Sequence, residues 1–131
     1  MKKILSFLIC GLGIQAIALA QPTVSLPTES PCTSEEFCMD VILDDFTDIL
    51  SMQFSLRFDP EVIRFEQVTN FGLPQMDAGS FDLSQVDSGY VLVNWGSDDC
   101  DNADLVTRED GHRAFTLCFT ALGGYGDTTR V

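Results

Sequence analysis

From residue 21 onward the sequence predicts an all-β protein, an antiparallel sandwich of two sheets. Four segments alternate apolar and polar residues with a period of two, the mark of strands buried on one face. Asp, Gly, Pro and Ser pairs punctuate them at the spacing of turns. No segment in this region sustains the 3.6-residue period of an amphipathic helix.

The first twenty residues stand apart. Lys2 and Lys3 precede an almost wholly apolar run from Ile4 to Ala20, and Ala18-Leu19-Ala20 presents small residues at a cleavage position. This segment is expected to be a secretory signal peptide cut after Ala20, leaving one domain over 21–131. The run contains Gly11, Gly13 and Gln15 and meets Gln21-Pro22 instead of a basic stop-transfer flank, which argues against a membrane anchor. Cys10 follows Ile9 and not a small residue, so it is read as part of the leader and not as a lipid attachment site.

Thr23 to Leu26 is a short strand candidate. Phe37, Met39, Val41 and Leu43 then alternate with Cys38, Asp40 and Ile42 up to Asp44-Asp45. Met52, Phe54, Leu56 and Phe58 share one face of the next segment, with Gln53, Ser55 and Arg57 on the other. Burying those four side chains yields roughly 6–12 kcal/mol, and fixing seven residues costs about 7–14 kcal/mol of backbone freedom. Such a strand needs a second apolar layer, hence two sheets.

Asp59-Pro60 interrupts this strand. Proline cannot donate to a ladder, and Asp59 caps a turn whose first position Pro60 presets. The chain is expected to turn a corner through Pro60 to Ile63 and pair from Arg64 to Val68 with a different set of strands. Phe81 to Leu83 is a further short candidate. Val91, Val93 and Trp95 alternate with Tyr90, Leu92 and Asn94 between Ser88-Gly89 and Gly96-Ser97. Phe115, Leu117, Phe119 and Ala121 alternate with Thr116, Cys118 and Thr120 between Asp110-Gly111 and Gly123-Gly124.

Without the leader, five arginines face twenty acidic residues, a net charge of −15. A chain so acidic repels phosphate backbones and anionic membrane surfaces, so nucleic acid and lipid are not the expected partners. Cys32, Cys38, Cys100 and Cys118 remain, an even number that favours disulfides in an exported protein. Four cysteines allow three connectivities; the local pairs Cys32–Cys38 and Cys100–Cys118 are expected. A zinc site is not, because no Cys-x-x-Cys occurs and the single histidine, His112, follows a turn glycine.

Chemistry is sparse. His112 is expected to be an exposed turn residue with no nucleophile beside it, and the carboxylates fall mainly in loops and on polar strand faces. An enzyme is therefore not expected, nor an obligatory cofactor. In the loop "SDDCDNADLVTRED", Asp98, Asp99, Asp101 and Asp104 are close enough in sequence to share a calcium ion, although the spacing fails the helix-loop-helix calcium pattern. Tyr90, on the outward phase of its strand, and Tyr125, in "GGYGD", are the aromatic candidates for stacking on a sugar ring.

One set of residues carries a resemblance: Asp45-Phe46 with Ile49, Met52-Gln53-Phe54-Ser55-Leu56, Phe58-Asp59-Pro60, Val62-Ile63, Phe65, Asn70-Phe71 with Leu73-Pro74, Gly89, Trp95, Asp110-Gly111 and Leu117-Cys118-Phe119. Over about residues 23 to 131 it resembles a cohesin-like domain of large secreted and surface proteins of bacteria, most specifically in the strand, corner and strand of 52–68. The resemblance implies a nine-stranded jelly-roll sandwich, akin in architecture to carbohydrate-binding modules. Thr128 to Val131 would only begin its closing strand, so a truncated last strand is expected. Cohesins bind dockerins, calcium-loaded modules of polysaccharide-degrading assemblies. The implied docking sheet holds 52–58, 90–95 and 115–121. Its outward residues are Gln53, Ser55, Arg57, Leu92, Asn94, Thr116 and Thr120, with Tyr90 beside them. The expected function is a secreted, non-catalytic module that binds a protein partner, dockerin-like or another surface module, at the cell surface. Binding of a polysaccharide is the alternative.

Overall fold

A computed structural model describes residues 21–97, 105–123, 128, 129 and 131. Among the described residues seven strands follow one another: β1 Thr23–Ser25, β2 Glu36–Asp44, β3 Ser51–Arg57, β4 Ile63–Thr69, β5 Phe81–Asp82, β6 Tyr90–Gly96 and β7 His112–Ala121. They form two antiparallel sheets, one of four strands in the order β1-β2-β7-β4 and one of three in the order β3-β6-β5. Two short 3₁₀ turns, Ala78–Ser80 and Val86–Ser88, flank β5. No α-helix occurs among the described residues.

The sheets meet through the side chains that the period-two pattern places on one phase. Met39, Val41 and Leu43 of β2 and Phe115, Leu117 and Phe119 of β7 are buried. Across from them lie Leu56, Val91, Val93 and Trp95. Phe115 joins the layers, with ring centroids 6.4 Å from Phe54 and 4.8 Å from Phe81. Phe119 does the same at the other end, meeting Phe58 at 5.2 Å and Phe65 at 6.0 Å. Trp95, 1% exposed, donates its indole N–H to the Pro74 carbonyl at 2.8 Å, so its burial leaves no polar atom unpaired.

The Asp-Pro corner behaves as the sequence predicts. The Asp59 carboxylate accepts from the Glu61 amide at 2.9 Å, and its carbonyl accepts from the amides of Val62 and Ile63. The chain thereby leaves the three-stranded sheet at β3 and enters the four-stranded sheet at β4. Gly89 secures the other side of the corner. Its φ of +78° is costly for other residues, and a Cβ there would lie 2.0 Å from the Phe58 carbonyl oxygen.

Three expectations are corrected. Cys38 and Cys118 form the disulfide, because they are direct cross-strand partners of β2 and β7; Cys32 is an exposed free thiol. The pairs Cys32–Cys38 and Cys100–Cys118 are thus excluded. His112 opens β7 and is not a turn residue: its Nε2 donates to the Gly72 carbonyl at 2.7 Å, and the ring is half-buried. Finally, β7 belongs to the four-stranded sheet and not to that of β3 and β6. The proposed leader, Cys100, Tyr125 and the acidic residues Asp98, Asp99, Asp101 and Asp104 lie outside the described residues.

Candidate binding face

Because β7 lies in the opposite sheet, the eight residues read as one surface divide into two groups. Gln53, Ser55 and Arg57 on β3 stand beside Tyr90, Leu92 and Asn94 on β6, cross-strand partners in the pairs Gln53–Asn94, Ser55–Leu92 and Arg57–Tyr90. Thr116 and Thr120 project from the outside of the other sheet.

The outside of the four-stranded sheet is occupied by its own contacts. Thr116 donates its hydroxyl to Asp40 at 2.6 Å and accepts from the Asn70 amide at 3.2 Å. Thr120 donates to Glu66 at 2.8 Å, and the Arg64 guanidinium reaches the same carboxylate oxygen at 2.8 Å. The hydroxyl of Thr120, and after it Arg64, holds the Glu66 carboxyl below its ordinary pKa. Between these two clusters runs the Cys38–Cys118 bridge. Together they cross-link β2, β7 and β4.

The outside of β3 and β6 differs. Gln53, Ser55 and Asn94 are exposed, and their side chains have no hydrogen-bond partner among the described residues. Arg57 lies 5.5 Å over the Tyr90 ring, a cation–π contact that fixes the one cationic side chain of this group. Leu92 is half-buried between them. At the end of β5, the Ser84 hydroxyl, and after it the Ser84 amide at 2.9 Å, hold the Asp82 carboxyl below its ordinary pKa. The group is weakly charged and mostly uncommitted, with hydrogen-bonding groups directed outward. It contains no combination of nucleophile and base, and no set of potential metal ligands occurs among the described residues.

The sequence pattern identifies the outward phase of every long strand. It does not reveal which sheet receives β7. The disulfide had a signal that could have been used: Cys38 and Cys118 both fall on the outward phase of long strands, where a cross-strand bridge is geometrically available.

No family model matches this sequence, and neither does any curated protein. Solved structures do match in fold. A type I cohesin–dockerin complex from Clostridium thermocellum aligns with a TM-score of 0.63 at 14% identity, over 83% of this chain and 76% of that one. The seventh type I cohesin of the ScaB protein of Pseudobacteroides cellulosolvens aligns at 0.61 and 11% identity, over 83% and 72%. The sixth cohesin of scaffoldin B from Acetivibrio cellulolyticus, solved with a dockerin, aligns at 0.62 and 13%, over 83% and 75%. With its two antiparallel sheets and its corner between β3 and β4, this chain has a cohesin-like jelly-roll fold.

Proposed function

We propose that this domain is an exported, non-catalytic binding module that docks a dockerin-like protein partner on the outside of β3 and β6. The observation carrying this reading is the contrast between the two outer surfaces. Hydrogen bonds and a disulfide occupy the four-stranded side, whereas Gln53, Ser55 and Asn94 leave their hydrogen-bonding groups available. Solved neighbours of the same fold include complexes with dockerins, which supports a protein as the partner class. Thr116 and Thr120, engaged on the far side, have no part in the proposed contact.

Polysaccharide binding is the weaker alternative, because Arg57 already covers Tyr90, the aromatic residue available for stacking on this surface. Calcium in the Asp98, Asp99, Asp101 and Asp104 loop stays a separate proposal; a melting temperature that does not move on adding calcium overturns it.

The test is titration calorimetry of residues 21–131 against a panel of calcium-loaded type I dockerins, with insoluble cellulose as the polysaccharide arm. Binding to a dockerin that falls at least tenfold in Arg57→Glu, but less than twofold in Thr120→Val, supports the reading. Retention on cellulose without any dockerin binding overturns it.

A further inference from the structure

Two ionised side chains stand on the outward phase of the three-stranded sheet, one of each sign. Arg57 is on β3, and Asp82 is on β5, where it is the cross-strand partner of Leu92 while its neighbour Phe81 turns inward. Asp82 is satisfied within its own turn. The Ser84 hydroxyl bonds its carboxylate, and the Ser84 amide does so at 2.9 Å.

Arg57 is placed differently. Its guanidinium carbon lies 5.5 Å from the centre of the Tyr90 ring, and the strand pairing sets the two residues directly opposite one another. A ring face attracts the positive charge but offers no oxygen to the five N–H donors. The chain carries twenty acidic residues and a net charge of −13, yet among the described residues none of them pairs with Arg57; the ion pair present there joins Arg64 to Glu66 on the other sheet. An exposed arginine without a carboxylate is therefore the unusual feature of this acidic molecule.

The guanidinium is a planar fork that matches a carboxylate with two parallel hydrogen bonds. Resting on Tyr90, the side chain is held in place before any contact, so docking costs it less rotamer freedom. Beside it, Gln53, Ser55 and Asn94 expose neutral donors and acceptors, and Leu92 is half-buried among them. Such a surface can pair one negative charge and bond neutral groups around it. The negative charge of the whole chain narrows the choice further. A partner acidic throughout is repelled, whereas a single carboxylate in a neutral or basic surround is not, since screening over about 8 Å at physiological ionic strength leaves the local pair dominant.

We infer, on the basis of the docking surface proposed above, that Arg57 held against Tyr90 selects the partner: a dockerin-like protein that presents an Asp or Glu carboxylate to the guanidinium, in an otherwise neutral or basic surround. A partner relying on basic residues alone would find on this face only Asp82, whose carboxylate Ser84 already bonds.

The test is a double-mutant cycle by titration calorimetry, using the protein and the tightest-binding member of a panel of calcium-loaded type I dockerins. Each dockerin Asp or Glu outside the calcium loops is changed to its amide and measured against the parent and against Arg57→Gln. At one position the amide should weaken binding to the parent at least tenfold and binding to Arg57→Gln less than twofold. Arg57→Lys, which keeps the charge and loses the fork, should bind between the parent and Arg57→Gln. An unchanged melting temperature in both variants ties these losses to the contact and not to unfolding. Dockerin binding in which no carboxylate is coupled to Arg57 overturns the inference and leaves the docking surface standing. Binding by no member of the panel overturns both. Polygalacturonate is the second arm: retention on it that Arg57→Gln abolishes, without coupling to any dockerin carboxylate, would mark an acidic polysaccharide as the occupant and overturn the inference.

Discussion

The two sheets of this sandwich share one core and present opposite outer surfaces. Outside β2, β7 and β4, polar residues are consumed by the fold: Asp40, Thr116 and Asn70 form one chain of hydrogen bonds, Thr120, Glu66 and Arg64 another, and a disulfide lies between. Outside β3 and β6, residues of similar chemistry remain available. The lesson is that strand alternation tells which residues point outward, while the partners they find after folding decide whether they stabilise or recognise.

The largest way to break the contrast is to remove the bridge. The disulfide spans 80 residues of sequence, so the chain-entropy account gives about 4.5 kcal/mol for its loss. Cys38→Ala/Cys118→Ala should lower unfolding stability by roughly that much in urea titration while leaving dockerin affinity within about twofold. A next effect comes from the corner. Gly89→Ala combines a positive φ with a Cβ pressed against the Phe58 carbonyl, and a loss of about 2–4 kcal/mol is expected in the same assay. Since Gly89 also anchors the start of β6, this variant should weaken partner binding as well.

Smaller changes sharpen the comparison. Thr116→Val removes the donor to Asp40 and should cost about 1 kcal/mol. Gln53→Ala and Ser55→Ala, lacking such partners, should stay within about 0.5 kcal/mol of the parent while reducing partner affinity. Comparable stability losses in all three would erase the distinction between the surfaces.

The smallest expected effect is on pH. The Glu66 pKa is lowered in the folded protein by Thr120 and Arg64. Its contribution is therefore fully present above the ordinary Glu range and is lost as pH falls through the depressed value, where the folded carboxylate takes up its proton. In Thr120→Val the acid limb of the stability profile should become shallower. An unchanged limb would show that the hydroxyl does not hold Glu66.

Much of the fold was legible because burial imposes a period on the sequence. Met52 to Phe58 and Tyr90 to Trp95 lie where the alternation places them, and the Asp59-Pro60 interruption carries the chain between sheets as its turn chemistry implies. What was not legible depends on contacts between distant strands. Nothing within Phe115 to Ala121 specifies which sheet accepts β7, and the single docking sheet that the resemblance implies places Thr116 and Thr120 with residues that lie on the opposite side. Cys38 and Cys118 are brought together only by the register of β2 on β7. His112 reads as a turn residue from Asp110-Gly111, yet the chain at Gly72 approaches β7 so closely that a Cβ there would lie 1.9 Å from the Arg113 carbonyl oxygen, which brings the Gly72 carbonyl to the imidazole.

The most direct test of the central claim is a hydrogen–deuterium exchange map of the domain with and without a bound dockerin. The account predicts slowed exchange concentrated in Ser51–Arg57 and Tyr90–Gly96, with Glu36–Asp44 and His112–Ala121 unchanged. Slowing confined to Glu36–Asp44 and His112–Ala121 would contradict it.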